Sequence, residues 1–211
     1  AIGLSVLLEL ARVFSGLEKS PRRSIIFLAL TGEEKGLLGS TYYTDHPLVP
    51  LHKTIANINI DGVAFFPDFN SIFAIGSEFS SLNTFVRKTA DKLNLSVDEI
   101  PDEFNKYEAF NRSDQISFAL AGIPSILILE GLKNRSKSEK EVLQSFINYM
   151  EKIYHTPFDD LNQPIDYQAA VNFTEVLFNL IIDLASSEKV PEWNEGVPFI
   201  HSRLQTIAEE K

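Results

Sequence analysis

SIIFLALTGEEKGLLGS, residues 24–40, sets an apolar run directly against two adjacent glutamates. Ser24 to Leu30 is apolar and rich in strand formers, which predicts a buried strand. Glu33 and Glu34 follow at its carboxyl end, and a helix-like pattern starts near residue 36. Adjacent side chains diverge from a strand end. One glutamate can therefore hold a cation while the other points into a cleft, or both can be ordinary acids favoured by a helix amino terminus.

Working outward, similar runs recur at TIANINI (54–60), SIFAIG (71–76) and SILILE (125–130). Helix-like patterns lie between and after them, at 1–15, about 36–45, 79–93, 114–121, about 138–152 and 167–186. Strands alternating with helices predict an α/β fold, a three-layer sandwich with a mostly parallel, mixed central sheet. One domain is expected over residues 1–211. The charged stretch GLKNRSKSEKE opens a predicted insertion at 131–153, and residues 188–211, with Pro191 and Pro198, are expected to form a surface tail.

Composition narrows the function classes. Of the 211 residues, 44% are hydrophobic and 16 are Phe, enough for a sizeable core. The net charge of -10 opposes a nucleic-acid partner, which would need clustered Lys and Arg. Without cysteine there are no disulfides and no thiolate metal sites. No apolar run reaches the roughly 18–20 residues of a membrane span. The apolar first helix has no Ser, Thr, Asp or Asn to cap it, as expected of a chain shortened at its amino end.

In open α/β sheets, ligands bind beyond the carboxyl ends of the strands. Glu33 and Glu34 follow the first run, Asp61-Gly62 follows the second, and YHTPFDD with His155 follows the last, beyond the insertion. Carboxylates and imidazole are zinc donors, and a free carboxylate beside a metal-bound water is a natural general base. Each feature alone has an ordinary structural explanation; the ordered set points to metal chemistry. His46, His52 and His201 lie in a loop and in the tail and are expected to play no part.

TGEEKGLLGS, NINIDG, RSDQISFALAGIP and YHTPFDD, in this order, resemble the co-catalytic di-zinc aminopeptidases of the bacterial leucyl aminopeptidase and aminopeptidase Y type. The resemblance implies the zinc-exopeptidase (phosphorylase/hydrolase-like) fold and a metallopeptidase that removes N-terminal residues from peptides. It implies that Glu33 is the general base, that Glu34 and His155 bind one zinc, and that Asp61 binds the other. Phe110 and Tyr154 would line the pocket for the substrate's N-terminal side chain, and Ser113 and Asp114 would orient the groups that bind metal. Secretion or a periplasmic location is expected on the same ground.

Three departures accompany the resemblance. The family's His-x-Asp motif and metal-bridging Asp precede the first buried helix and are not in this chain. The family's Ser-Asp-His is Ser113-Asp114-Gln115 here, and the insertion before His155 is long. The resemblance therefore implies two zinc ions in a complete enzyme and weak or no zinc binding by this chain. Two relatives on the same scaffold offer alternatives: a single-zinc glutaminyl cyclase, and a metal-free, non-catalytic binding ectodomain.

Overall fold

The computed structural model describes residues 2–62, 65–100, 106–160, 162–163 and 165–208. The first residue of the predicted helix 1–15 and the last three of the tail lie outside them. In chain order the elements are α1 (Ile2–Ser15), α2 (Leu38–Asp45), β1 (Asn57–Asn59), β2 (Ser71–Ile75), α3 (Leu82–Lys92) and β3 (Ser96–Asp98). Then come α4 (Lys106–Phe110), α5 (Gln115–Leu120), β4 (Ser125–Glu130), α6 (Glu139–Lys152), α7 (Tyr167–Ser186) and α8 (Ile200–Ala208).

The sheet has four strands in the order β1-β4-β2-β3. β1 and β4 are parallel, with Asn57 opposite Ser125; β2 and β3 are parallel, with Ser71 opposite Ser96. β4 and β2 are antiparallel, with Ile72 opposite Glu130. The sheet is thus mixed, as expected.

Its main core joins Ile126 and Ile128 of β4 to Leu10 of α1, Val86 of α3, and Phe173, Leu177 and Leu180 of α7. Fully burying each of these side chains contributes about 1.5–3 kcal/mol. A second cluster joins Phe79, Phe110, Ile116 and Phe199, and a third joins Tyr43, Phe118 and Ile123. Helix ends follow the sequence. Ser138 and Glu141 form a capping box at α6, and Asp166 Oδ1 accepts from Ala169 N at 3.0 Å to cap α7.

Four expectations need correction. Residues 24–30 are not a paired strand: the run has no strand assignment and no ladder partner among the described residues. A strand exists only by pairing, and here an apolar sequence has no neighbouring edge. β3 was not anticipated, because Ser96–Asp98 is too short to show an alternation. The tail contains α8, anchored where Arg203 Nη1 donates to Thr54 O at 3.1 Å and Thr206 is buried. Finally, α7 does reach the length and mean hydropathy of a membrane span, 20 residues and 1.4, although its apolar stripe packs into the main core.

Candidate active site

The glutamate pair sits on a tight turn that glycines make possible. Gly32 and Gly36 have φ of 69° and 97°, the left-handed region that glycine enters at no steric cost, and Glu33–Lys35 forms a single 3₁₀ turn between them. Gly39 holds this turn against the end of residues 24–30. Its N–H donates to Thr31 O at 2.8 Å, and a Cβ there would lie 2.6 Å from Thr31 N and O. Glu33 is half-buried and Glu34 exposed, so the two side chains do diverge.

His155 comes from the turn after α6 and has φ of 58°, an uncommon conformation for a residue with a Cβ. Its Nε2 is in direct contact with Glu34 Oε1. The Tyr154 ring stacks on the imidazole with centroids 3.7 Å apart. An isolated left-handed residue persists only where its surroundings fix it, and such residues gather at functional sites.

Asp61 follows β1. Its Oδ2 accepts from Ser113 Oγ at 2.6 Å. Asn59 Nδ2 donates to Ser113 Oγ at 2.9 Å and to Gln115 Oε1 at 2.7 Å. Gln115 Nε2 in turn donates to Phe110 O at 2.6 Å. Because Gln115 must donate to that carbonyl, its oxygen faces Asn59, and the Ser113 hydroxyl is left to donate to Asp61. The network has one direction and ends on a carboxylate.

Burial and neighbouring charge act on several carboxyls here. Burial, then the charges of Asp61, Glu34 and Asp114, push the Glu33 carboxyl up to about 7, against a weaker opposing effect of His155. Burial also raises Asp114, against a hydrogen bond from Ser40. Burial pushes Glu130 up to about 7, opposed by the amides of Phe65 and Phe66, both of which donate to it. A carboxyl group poised near neutrality is suited to taking and returning a proton.

Glu33, Glu34, Asp61, Ser113, Asp114, Tyr154 and His155 all line one cavity of about 1720 Å³. Phe110 does not: its ring is fully buried in the second core cluster, where it would clash with any Cβ at Gly76, so it does not reach a substrate pocket. The aromatic wall is instead Phe65, Phe146, Tyr149 and Tyr154, with Phe65 and Tyr149 centroids 5.2 Å apart. The expected insertion supplies two of these through α6. Sequence reading noted Gln115 only as a departure from the family's Ser-Asp-His, and it missed Asn59 and Glu130. A polar residue in or at the end of an apolar run was the only signal for Asn59 and Glu130.

Glu34 and His155 make a pair of donors, with Asp61 separate. Among the described residues no group of three or more His, Asp or Glu is placed to hold one ion. The donor chemistry therefore fits zinc, but the set is short of the usual three or four protein ligands.

The mixed α/β sheet with its packed helices is that of the zinc-exopeptidase class of fold. Peptidase family M28 matches residues 1–181, and the chain belongs to that family. The probable leucine aminopeptidase 2 of Aspergillus oryzae is 26% identical over 89% of this chain and 39% of its own length. Nicastrin of Arabidopsis thaliana is 25% identical over 89% of this chain and 28% of its own length. The structure of an aminopeptidase from Aneurinibacillus sp. strain AM-1 superposes with a TM-score of 0.58 at 21% identity, covering 93% of this chain and 40% of that one. The chain thus spans well under half the length of these relatives.

Proposed function

We propose that these residues are the catalytic part of a zinc-dependent aminopeptidase, within a single domain. The observation that carries this reading is the convergence in one cavity of Glu33, the Glu34–His155 pair and Asp61. Glu34 and His155 would hold one zinc and Asp61 would contribute to a second. Bound there, zinc would supply polarisation of a scissile carbonyl and a more acidic water. Glu33 would accept a proton at its carboxylate and return it to the leaving amine. The surrounding carboxylates attract a free α-amino group, which restricts cleavage to the chain end. The aromatic wall accommodates an apolar N-terminal side chain. With two donors at one ion and one at the other, this chain alone holds zinc weakly.

A non-catalytic reading draws on the lack of a three-donor group among the described residues. One assay separates the two: leucine p-nitroanilide and its N-acetyl form, offered with zinc to polypeptides that include these residues. The aminopeptidase reading predicts release from the free-amine substrate alone. If no such polypeptide releases nitroaniline, the non-catalytic reading stands.

A further inference from the structure

β4 ends on Glu130, a half-buried carboxyl group on the cavity wall to which the proposed reaction gives no task. In the parallel pair of β1 and β4, Asn59 is opposite Leu127, so the chain that leaves β1 through Asp61 runs past the last residues of β4. It passes closely: a Cβ on Gly62 would lie 2.2 Å from Leu129 Cδ2. Just beyond, the N–H groups of Phe65 and Phe66 each donate to a carboxylate oxygen of Glu130, that of Phe66 at 3.3 Å. The nearby cation Lys133 pairs with Asp98 instead, at 2.9 Å. A buried carboxylate is costly unless it is bonded, and here the two amides supply the bonds.

These two bonds set the path of the main chain. The residues that follow are tied elsewhere: Pro67 O accepts from Asn172 Nδ2 at 2.7 Å, Asp68 O accepts from Arg135 N at 2.9 Å, and Phe69 is buried in the main core. Phe65 and Phe66 have no backbone–backbone hydrogen bond among the described residues. The Phe65 ring starts a row. It meets Phe146 and Tyr149 of α6 edge-on, with centroids 6.3 and 5.2 Å away. Tyr149 lies 5.9 Å from Tyr154, whose ring stacks on His155. α6 itself is lightly held: Val142 is buried, whereas Leu143, Phe146, Ile147 and Met150 are each at least 37% exposed. At the cavity, Phe65 is where the chain around the sheet meets the aromatic residues of α6.

We propose that Glu130 is a positioning residue for recognition of the substrate's N-terminal side chain: by holding the main chain at Phe65 and Phe66, its carboxylate sets the Phe65 ring against α6 and so shapes the wall that takes a large apolar or aromatic group. The inference deepens the aminopeptidase reading and rests on it for the choice of ligand. Glutamine at this position has the same size but offers a single accepting oxygen, and it turns an NH₂ donor towards the other amide. That amide then has no partner, and the backbone moves to find one. The ring moves with it. A side chain too small to reach the wall does not sense the change, whereas a benzyl side chain loses its contact.

The test compares the 211-residue chain with Glu130→Gln, Phe65→Ala and the double variant, in zinc-containing buffer. NMR titration gives the affinities of phenylalaninamide and alaninamide, which share the free amine and differ in the side chain. Slow exchange of the α7 amides reports that each variant is folded. The wild type should bind phenylalaninamide about tenfold more tightly than alaninamide. Glu130→Gln should remove most of that preference, leave alaninamide binding as it is, and speed exchange of the Phe65 and Phe66 amides. Phe65→Ala should remove the preference too, and the double variant should lose no more than Phe65→Ala alone, because Glu130 acts through that ring. No preference in the wild type, an unchanged preference in Glu130→Gln, equal weakening of both ligands, or losses that add in the double variant overturns the proposal. Nitroaniline release from leucine p-nitroanilide tests the peptidase reading separately. If the preference depends on Glu130 while no polypeptide releases nitroaniline, that reading fails and the positioning role stands.

Discussion

Asn59 Nδ2 donates to Gln115 Oε1 across 2.7 Å, and Gln115 is completely buried. This contact links β1 to α5 and fixes the side chain from which the Ser113–Asp61 bond extends. Gln115→Leu removes the acceptor for Asn59 and the donor to Phe110 O, leaving buried groups unpaired. The expected cost is about 2 kcal/mol in urea unfolding. A loss below the error of that measurement would mean that water replaces the network.

Ser113→Ala removes the hydroxyl that donates to Asp61. Hydrogen bonds to charged groups contribute about 1.5–3 kcal/mol, and Asp61 is partly solvated, so the expected loss is at the low end, about 1.5 kcal/mol. Ser113→Thr keeps the hydroxyl and should restore most of it. Equal losses in both variants would count against the hydrogen bond.

Stability should fall as pH rises from about 4.5 to about 7. Glu33 and Glu130 keep their protons in the folded chain up to about 7, whereas the unfolded chain releases them near 4.5. In that window the unfolded state binds fewer protons, so raising the pH favours unfolding; above it the effect is complete. Glu130, the more buried, dominates, with an effect of order 3 kcal/mol. Urea midpoints across this range should decline in the wild type and decline less in Glu130→Gln. A flat wild-type profile would mean that neither carboxyl is held up by burial.

Gly39→Ala should destabilise the chain by about 1–3 kcal/mol, because its Cβ would lie 2.6 Å from the Thr31 backbone. The same shift moves the turn that carries Glu33. Unchanged thermal stability would show that α2 moves away from Thr31 freely.

The sequence was most readable where local interactions decide the structure. The start of α6 was expected at about residue 138, where Ser138 and Glu141 cap the helix by local interactions, whereas the glycine-framed turn within TGEEKGLLGS was not anticipated. Residues 24–30 misled for a physical reason: an apolar β-branched run reports a preference for pairing, and the partner is a separate matter. Phe110 was placed in the pocket by resemblance, yet Gly76, φ 90°, lets its ring sink into the core instead. The contact of Asn59 with Gln115 was not legible because it joins residues 56 apart. The convergence of Glu34 with His155, 121 residues away, was legible only through the family resemblance of the motifs that carry them.

The most direct test of the account is calorimetric zinc titration of the 211-residue chain and of three single variants. The account predicts weak binding that Glu34→Ala and His155→Ala each abolish and that Glu33→Gln leaves intact, since Glu33 handles a proton and does not bind the ion. Binding that survives His155→Ala, that disappears in Glu33→Gln, or that is tight for two ions in the wild type would contradict it.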